Sequence, residues 1–312
     1  LLMLGSLDGI PVLGAPGCAR SPKENGFDWV LDRLLAGLEV HPDDITAMGV
    51  GGLLMEIGTR PQPREGKRKG EAARIAALIL GAGKSSRMGG PNKLLATLHG
   101  KTLIRHAAEA AAGAGLSQTV LVTGHLAEEV GTQVEDLDVT LVHNPDFRKG
   151  SVVTMAVLED AMTRGGDILL MDGDVLYDRR MLERLVASPH RNLFLLDRDV
   201  EPGEEPMKLA IAAGHPVDFR KTLERTHEYY GESVGFFRFD EAAAQDICTA
   251  ARQIITDGRR GDYMEEAIRD VLLASPKGRF GFEDITGLPW IEIDFPEDVV
   301  RARAEVLPRL AG

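Results

Sequence analysis

The chain has 312 residues, 44% of them hydrophobic and 27% charged, with a formal net charge of -12. That length supports one large domain or two smaller ones around a substantial core, and the acidic balance argues against a general nucleic-acid binder, which carries a basic stripe. Cys18 and Cys248 are too few for a disulfide framework and no run of about 18 apolar residues offers a membrane span, so a soluble, cytoplasmic protein is expected.

The apolar start LLMLGSLDGIPVLG has no basic n-region and is broken by Asp8 and glycines, so it reads as a strand and turns rather than a signal peptide. Residues 1–59 form a first segment near the lower size limit for a domain that folds alone. RPQPREGKRKGEAAR, residues 60–74, combines prolines and glycines with Arg60, Arg64, Lys67, Arg68, Lys69 and Arg74. It has little apolar surface to bury and is expected to be a linker.

From residue 75 onward apolar strands alternate with amphipathic helices. IAALIL (75–80) is a strand, KTLIRHAAEAAAGAG a helix ending in glycine, TVLVTG a strand and LAEEVGTQVE a helix. VTLVHN, SVVTMAVLEDAM, DILLMDGD and RRMLERLVAS continue as strand, helix, strand and helix. Continuous apolar strands between such helices predict an α/β fold with a parallel sheet covered on both faces, in a domain spanning 75–312. Beyond about residue 192 the pattern turns strand-rich, with NLFLLDRD, MKLAIAAG and ESVGFFRF. Helices over 241–256 and 262–274 follow, and a last strand, WIEID, leads into the helix begun by FPEDVV.

The first strand runs into ALILGAGKSSRMGGPNKLL, residues 77–95, where a glycine loop carries Lys84, Arg87 and Lys93 and no acidic residue. A Walker A loop fails, because the only G-K-T, at Gly100–Thr102, has Leu95 where the first glycine belongs. A Rossmann loop fits Gly81 and Gly83 but has Ser86 at the third glycine. The arrangement resembles the nucleotidyltransferase signature G-x-G-x-x-R-M-G followed by P-x-K, matched by Gly81, Gly83, Arg87, Met88, Gly89, Pro91 and Lys93. Glycines let backbone N–H groups converge on phosphate oxygens, Arg87 can grip phosphates in a bidentate way, and Lys93 can meet charge building on an α-phosphate. The expected nucleotide site is Leu80, Gly81, Ala82, Gly83, Lys84, Ser85, Ser86, Arg87 and Lys93, with Gly124 and Asp172; Lys93 and Arg87 are the expected catalytic residues. The competing reading is an ordinary strand-to-helix turn with solvated basic side chains.

Phosphoryl or nucleotidyl transfer needs a divalent cation to neutralise the triphosphate, held by carboxylates at strand ends. MDGDVLYD supplies Asp172 and Asp174, two residues apart, where a strand stops; the alternative is a pair of turn-forming aspartates. WIEIDFPEDV supplies Glu292 and Asp294, alternating on a strand and costly to bury without a cation, while Asp298 reads as a helix-start charge. In EYYGES, Tyr229, Tyr230, Glu232 and Ser233 form a candidate acceptor wall, in which an aromatic pair beside a carboxylate can hold an ammonium head group; packing at a sheet edge is the alternative. His125 and His143 lie near strand ends, and Cys248 belongs on a buried helix face.

Over about residues 75–310 the chain resembles the MobA-like and sugar-phosphate nucleotidyltransferases. LGAGKSSRMGGPNKLL looks most like the molybdenum-cofactor cytidylyltransferases. MDGDVLYD, GEEPMKL, GESVGFF and EDITGLPWIEIDFPEDV look like cytidylyltransferases acting on phosphocholine, 2-aminoethylphosphonate or inositol phosphate. The resemblance implies a doubly wound, mostly parallel sheet of the nucleotide-diphospho-sugar transferase type, Rossmann-like, with a mixed β extension over the acceptor. It implies Mg²⁺ held by Asp174, Glu292 and Asp294, Lys208 near the acceptor phosphate, and CTP as the nucleotide. Residues 6–62, with PVLGAPGCARSPKENGFDWVLDRLLAG and MGVGGLLMEIGTRPQPR, resemble the C-terminal part of a molybdopterin-binding domain. The expected reaction is therefore transfer of CMP to a small phosphate or phosphonate acceptor. Cytidyl transfer to molybdopterin and a non-catalytic nucleotide sensor remain as alternatives.

Overall fold

The computed structural model describes residues 3–7, 10–14, 26–35, 40, 75–90, 92–199 and 206–310. The chain divides into two units, Leu1–Gly66 and Lys67–Gly312. The expected linker, Pro91 of the loop motif and Cys18 lie outside the described residues. In the first unit β1 (Met3–Leu7) and β2 (Ile10–Gly14) pair antiparallel, and a helix covers Gly26–Leu35.

The second unit begins with β3 (Ile75–Gly81), followed by a short hairpin of β4 (Thr97–Leu98) and β5 (Lys101–Thr102). Then come β6 (Gln118–Thr123), β7 (Val139–His143) and β8 (Asp167–Asp172), with helices over Leu103–Gly113, Ala127–Thr132, Ser151–Val157 and Glu159–Met162 between them. The expected single helix SVVTMAVLEDAM is interrupted at Leu158, whose ψ of 1° leaves the helical region.

β3, β6, β7 and β8 are parallel, in the order β7-β6-β3-β8. The chain moves outward from β3 through β6 to β7 and then returns to the opposite side of β3 with β8. A topological switch point therefore lies between β3 and β8, where open α/β sheets bind ligands beyond their strand ends. The two-residue period of the strands sorts their side chains. Leu78, Val120, Val122, Ile168 and Leu170 pack in one core cluster, and Ala77, Ile79, Leu121, Leu169 and Met171 in another. Burial on both faces explains why these strands read as unbroken apolar runs.

The mixed extension is built from β9 (Val175–Tyr177), β10 (Leu193–Asp197), β11 (Lys208–Ala212), β12 (His215–Arg220), β13 (Tyr229–Phe239), β14 (Gly281–Asp284) and β15 (Trp290–Glu292). β13 runs antiparallel to β11 through Tyr229–Glu232 and to β8 through Phe236–Phe239, so Ser233, Val234 and Gly235 lie between the two pairings. β9, β12 and β14 are not legible as strands in the sequence: β9 has three residues, and HPVDFR and GFED are too polar to give an apolar run. Helices over Glu241–Thr256 and Met264–Ala274 bury Ile247, Cys248 and Ile268 against the first cluster, which places Cys248 in the core as expected. No helix among the described residues is long and apolar enough to cross a membrane.

Candidate active site at the switch point

β3 delivers the glycine loop to the switch point, and the loop is pinned by its own side chains. Ser85 adopts a left-handed backbone, with φ of 53°, and its carbonyl accepts from Met88 N at 3.0 Å across the turn Ser86–Met88. Ser85 Oγ donates to Asn92 Oδ1 at 3.1 Å and accepts from Lys93 N at 3.0 Å. Asn92 is 1% exposed. Its Oδ1 caps Leu94 N at 3.0 Å, the ordinary use of asparagine at a helix start, and its Nδ2 donates to the His125 carbonyl at 3.0 Å. Asn92 thus sets where Lys93 begins, a role the loop signature does not mark.

The carboxylates arrive from two distant segments. Gly173 N donates to Leu80 O at 3.0 Å, which ties the turn after β8 to the end of β3 and leads into Asp174. β15 pairs antiparallel with β9, Glu292 opposite Val175, and Ile293 N donates to Asp174 O at 2.9 Å. That pairing carries Glu292 and Asp294 to Asp174. The strand itself stops at Glu292; Asp294 lies just beyond it, where Asp298 Oδ2 accepts from the backbone N–H groups of Asp294 (3.0 Å) and Phe295 (2.8 Å). Asp298 is therefore a helix-start acceptor, as expected from its place in the sequence.

Lys93 Nζ lies 2.5 Å from Asp174 Oδ2 and 2.7 Å from Asp294 Oδ1, and Arg87 Nη1 lies 2.7 Å from Asp294 Oδ2. Burial pushes the Lys93 ammonium down, but Asp174 and Asp294 outweigh it and hold its pKa above the ordinary lysine value. Burial raises the Asp294 carboxyl, yet Lys93 and Arg87 bring it below the usual range. Glu292 is exposed on the cavity side; desolvation by the protein around it, with the like charges of Asp174 and Asp294, pushes its carboxyl up to about 8. One oxygen from each of Asp174, Glu292 and Asp294 lies within 4.8 Å of the others. Three carboxylate groups converging in this way are the oxygen-donor set that a hard divalent cation takes.

These groups line a cavity of about 630 Å³. It brings together the expected residues Gly83, Lys84, Ser85, Ser86, Arg87, Lys93, Asp172, Asp174, Glu232, Ser233, Glu292 and Asp294. Asp172 is half-buried and lies against β13. Desolvation, then Asp174 and Glu265, raise its carboxyl well above the ordinary value. A β-carbon at Gly235, where φ is +74°, would sit 2.0 Å from Asp172 Oδ2, so only glycine admits that carboxyl.

Other expected residues stand elsewhere. Leu80, Gly81 and Ala82 form the structural stem behind the loop, Leu80 through its bond from Gly173 and Ala82 through a bond from His125 N at 3.2 Å. Gly124 serves packing: a β-carbon there would lie 2.7 Å from the Ala82 carbonyl. Lys208 does not line the cavity. Its Nζ donates to the Lys221 carbonyl at 2.9 Å, and Lys221 lines the cavity in its place. Tyr230 is exposed, edge-on to His227 at 5.9 Å, while Tyr229 packs against the core beneath Arg198. Neither tyrosine lines the cavity, because the wall is formed farther along β13, from Glu232 onward. His125 and His143 also stay out of it.

The wall contains residues that the sequence did not single out: Met207, Lys221, Tyr263, Glu265 and Phe295. Lys221 Nζ stands 5.2 Å from the centre of the Tyr263 ring. Desolvation pushes the Glu265 carboxyl up to about 7 against the pull of its own backbone N–H. Two polar atoms of this wall, Ser233 Oγ and Glu265 Oε2, are shielded from solvent and have no hydrogen-bond partner among the described residues.

The sequence profile of a family described as a MobA-like NTP transferase domain matches residues 77–236. The CMP-5'-(3-aminopropyl)phosphonate synthase of Streptomyces rubellomurinus is 27% identical over 242 residues, covering 73% of this chain and 38% of that protein. The bifunctional IPC transferase and DIPP synthase of Rubrobacter xylanophilus is 27% identical over 253 residues, covering 79% of this chain and 54% of that protein. The chain thus spans about half the length of these curated relatives, or less. Among solved structures, the inositol-1-phosphate CTP transferase of T. maritima superimposes with a TM-score of 0.61 at 16% identity, covering 77% of this chain and 99% of that one. The CTP:phosphocholine cytidylyltransferase of Streptococcus pneumoniae gives a TM-score of 0.60 at 17% identity, covering 74% and 98%. The shared fold is the doubly wound sheet with its mixed extension.

Proposed function

The chain belongs to the MobA-like NTP transferase domain family, and on that premise we propose that it transfers CMP from CTP to a small phosphate or phosphonate acceptor, releasing pyrophosphate. The observation that carries the reading is the ion-paired cluster of Lys93, Asp174 and Asp294, set beside the glycine loop at the switch point between β3 and β8. The CMP-phosphonate named for the Streptomyces relative supports both the nucleotide and the acceptor class.

An acceptor oxygen, already anionic at pH 7, forms a bond to the α-phosphorus of CTP. The bond from that phosphorus to the bridging oxygen breaks, and pyrophosphate leaves with the electron pair. No protein nucleophile or general base is needed, so the chain acts by in-line positioning and charge neutralisation. Backbone N–H groups of the loop and the Arg87 guanidinium hold the triphosphate. Lys93 offers its ammonium to the α-phosphate, and Asp174 and Asp294 aim it there. Asp174, Glu292 and Asp294 would hold Mg²⁺, which when bound neutralises the triphosphate. Residues 1–59 are a separate segment in this proposal, joined by a linker at 60–74; the division into Leu1–Gly66 and Lys67–Gly312 supports it.

The test is a pyrophosphate-release screen of four nucleoside triphosphates against phosphocholine, 2-aminoethylphosphonate, inositol 1-phosphate and molybdopterin. Release with CTP and a small phosphorus acceptor is expected. Molybdopterin as the sole productive acceptor would replace this reading with molybdenum-cofactor cytidyl transfer, and the absence of release with every acceptor would leave only nucleotide binding.

A further inference from the structure

We propose that Ser233 and Glu265 recognise a protonated amine, so that the acceptor is a short aminoalkyl phosphonate or phosphate ester; this rests on reading the cavity as a nucleotidyl-transfer site. Ser233 lies on β13 between the segments paired with β11 and β8, and is 8% exposed. Glu265 lies in the first turn of the helix Met264–Ala274. Both residues line the same cavity, and each presents a shielded oxygen without a partner among the described residues. Buried polar atoms are nearly always paired, so two unpaired ones on different elements around one cavity mark where ligand atoms complete the bonding.

The chemistry of those atoms narrows the ligand. An ionised carboxylate oxygen only accepts, so it needs an N–H or O–H donor, and its charge favours a cation. A quaternary ammonium brings charge but no donor. A polyol brings donors but no charge. A primary ammonium brings both, with three N–H groups to offer to acceptors such as Glu265 Oε2 and the lone pairs of Ser233 Oγ. Glu232 on the same wall adds negative charge, and Lys221, also on the wall, supplies the opposite charge that a phosphonate requires.

The full chain should be titrated calorimetrically with 2-aminoethylphosphonate, ethylphosphonate and phosphocholine, in Mg²⁺ with and without α,β-methylene CTP. Charge-assisted hydrogen bonds predict at least about tenfold tighter binding of 2-aminoethylphosphonate than of either comparator. Glu265→Gln should abolish that preference while leaving ethylphosphonate binding unchanged, and Ser233→Ala should weaken it by about threefold or more. Equal affinity for the three ligands, no binding of any of them, or an intact preference in a folded variant overturns the proposal. Pyrophosphate release that does not discriminate ethylphosphonate from its amine would sink this inference and leave cytidyl transfer standing. Amine-selective, Glu265-dependent binding without any pyrophosphate release would do the reverse.

Discussion

Lys93 Nζ bridges Asp174 and Asp294, at 2.5 and 2.7 Å, although Lys93 and Asp294 are 201 residues apart in the chain. The lysine expected on the phosphates and the carboxylates expected on the cation are therefore one electrostatic unit. Its positive charge is held in place before any nucleotide enters, and that preorganisation is what electrostatic catalysis requires.

Lys93→Ala should lower turnover by about 10²–10³, the usual effect of losing one positioned transition-state contact. The measurement is single-turnover pyrophosphate release in protein whose thermal unfolding remains cooperative. Near-normal turnover would take Lys93 out of the chemistry.

Asp174→Asn and Asp294→Asn should each weaken divalent-cation binding, read by the electron paramagnetic resonance of added Mn²⁺, and lose cation-dependent turnover. Asp294→Asn also releases Lys93 and Arg87 from a shared partner, so it should raise the KM for the nucleotide as well. Turnover that persists in excess chelator would refute the metal role.

Gly235→Ala places a β-carbon against the Asp172 carboxyl at a positive φ of +74°. The strain and the displaced carboxyl together should cost about 2 kcal/mol or more in a urea titration. An unchanged midpoint would mean that β13 shifts freely at this position.

Asp218 is fully buried, with Arg269 Nε at 2.7 Å and the backbone N–H groups of Glu224 (2.7 Å) and Arg225 (3.0 Å) on its other oxygen. Burial raises its pKa, but Arg269 and those N–H groups outweigh it and hold the carboxyl below the ordinary aspartate value. A folded pKa below the unfolded one adds stability that is complete above about pH 4 and lost as pH falls through the folded pKa. Asp218→Asn should cost about 3–5 kcal/mol at neutral pH, because Arg269 loses its buried charge partner and keeps only the exposed carboxylate of Glu224, and should flatten the acid limb of the stability curve. A variant with the wild-type acid limb would place that pH dependence elsewhere.

Tyr230→Ala should leave the KM of every acceptor within about twofold of wild type, because an exposed side chain outside the cavity makes no desolvated cation–π contact. A rise equivalent to about 0.5–2 kcal/mol would return Tyr230 to the acceptor site.

Local chemistry made much of this legible. The glycine loop with Arg87 and Lys93 is contiguous, and Asp174 follows directly from the strand that presents it. The doubly buried strands announce themselves by composition, and the alternation of strands and helices implies the parallel sheet. Placement across the sheet is a different matter. Period-two alternation says that Tyr230 and Glu232 share a side, but not that the cavity wall starts only at Glu232, where β11 gives way to the gap before β8. Nor does it choose Lys221 over Lys208, because that depends on how β12 and the turn after it return past β11.

The sequence by itself determined the glycine loop with its basic residues, the sheet and the carboxylates available at strand ends, since each depends on residues within a few positions of one another. Tertiary structure alone decided that β15 pairs with β9 and so brings Asp294 to Lys93 and Asp174. It alone placed Ser233 and Glu265, one on a strand and one on a helix, around one cavity with their oxygens unpaired. The reason is that strand order and helix docking are set by burying the two apolar faces of the sheet, which fixes polar neighbours that no local pattern encodes.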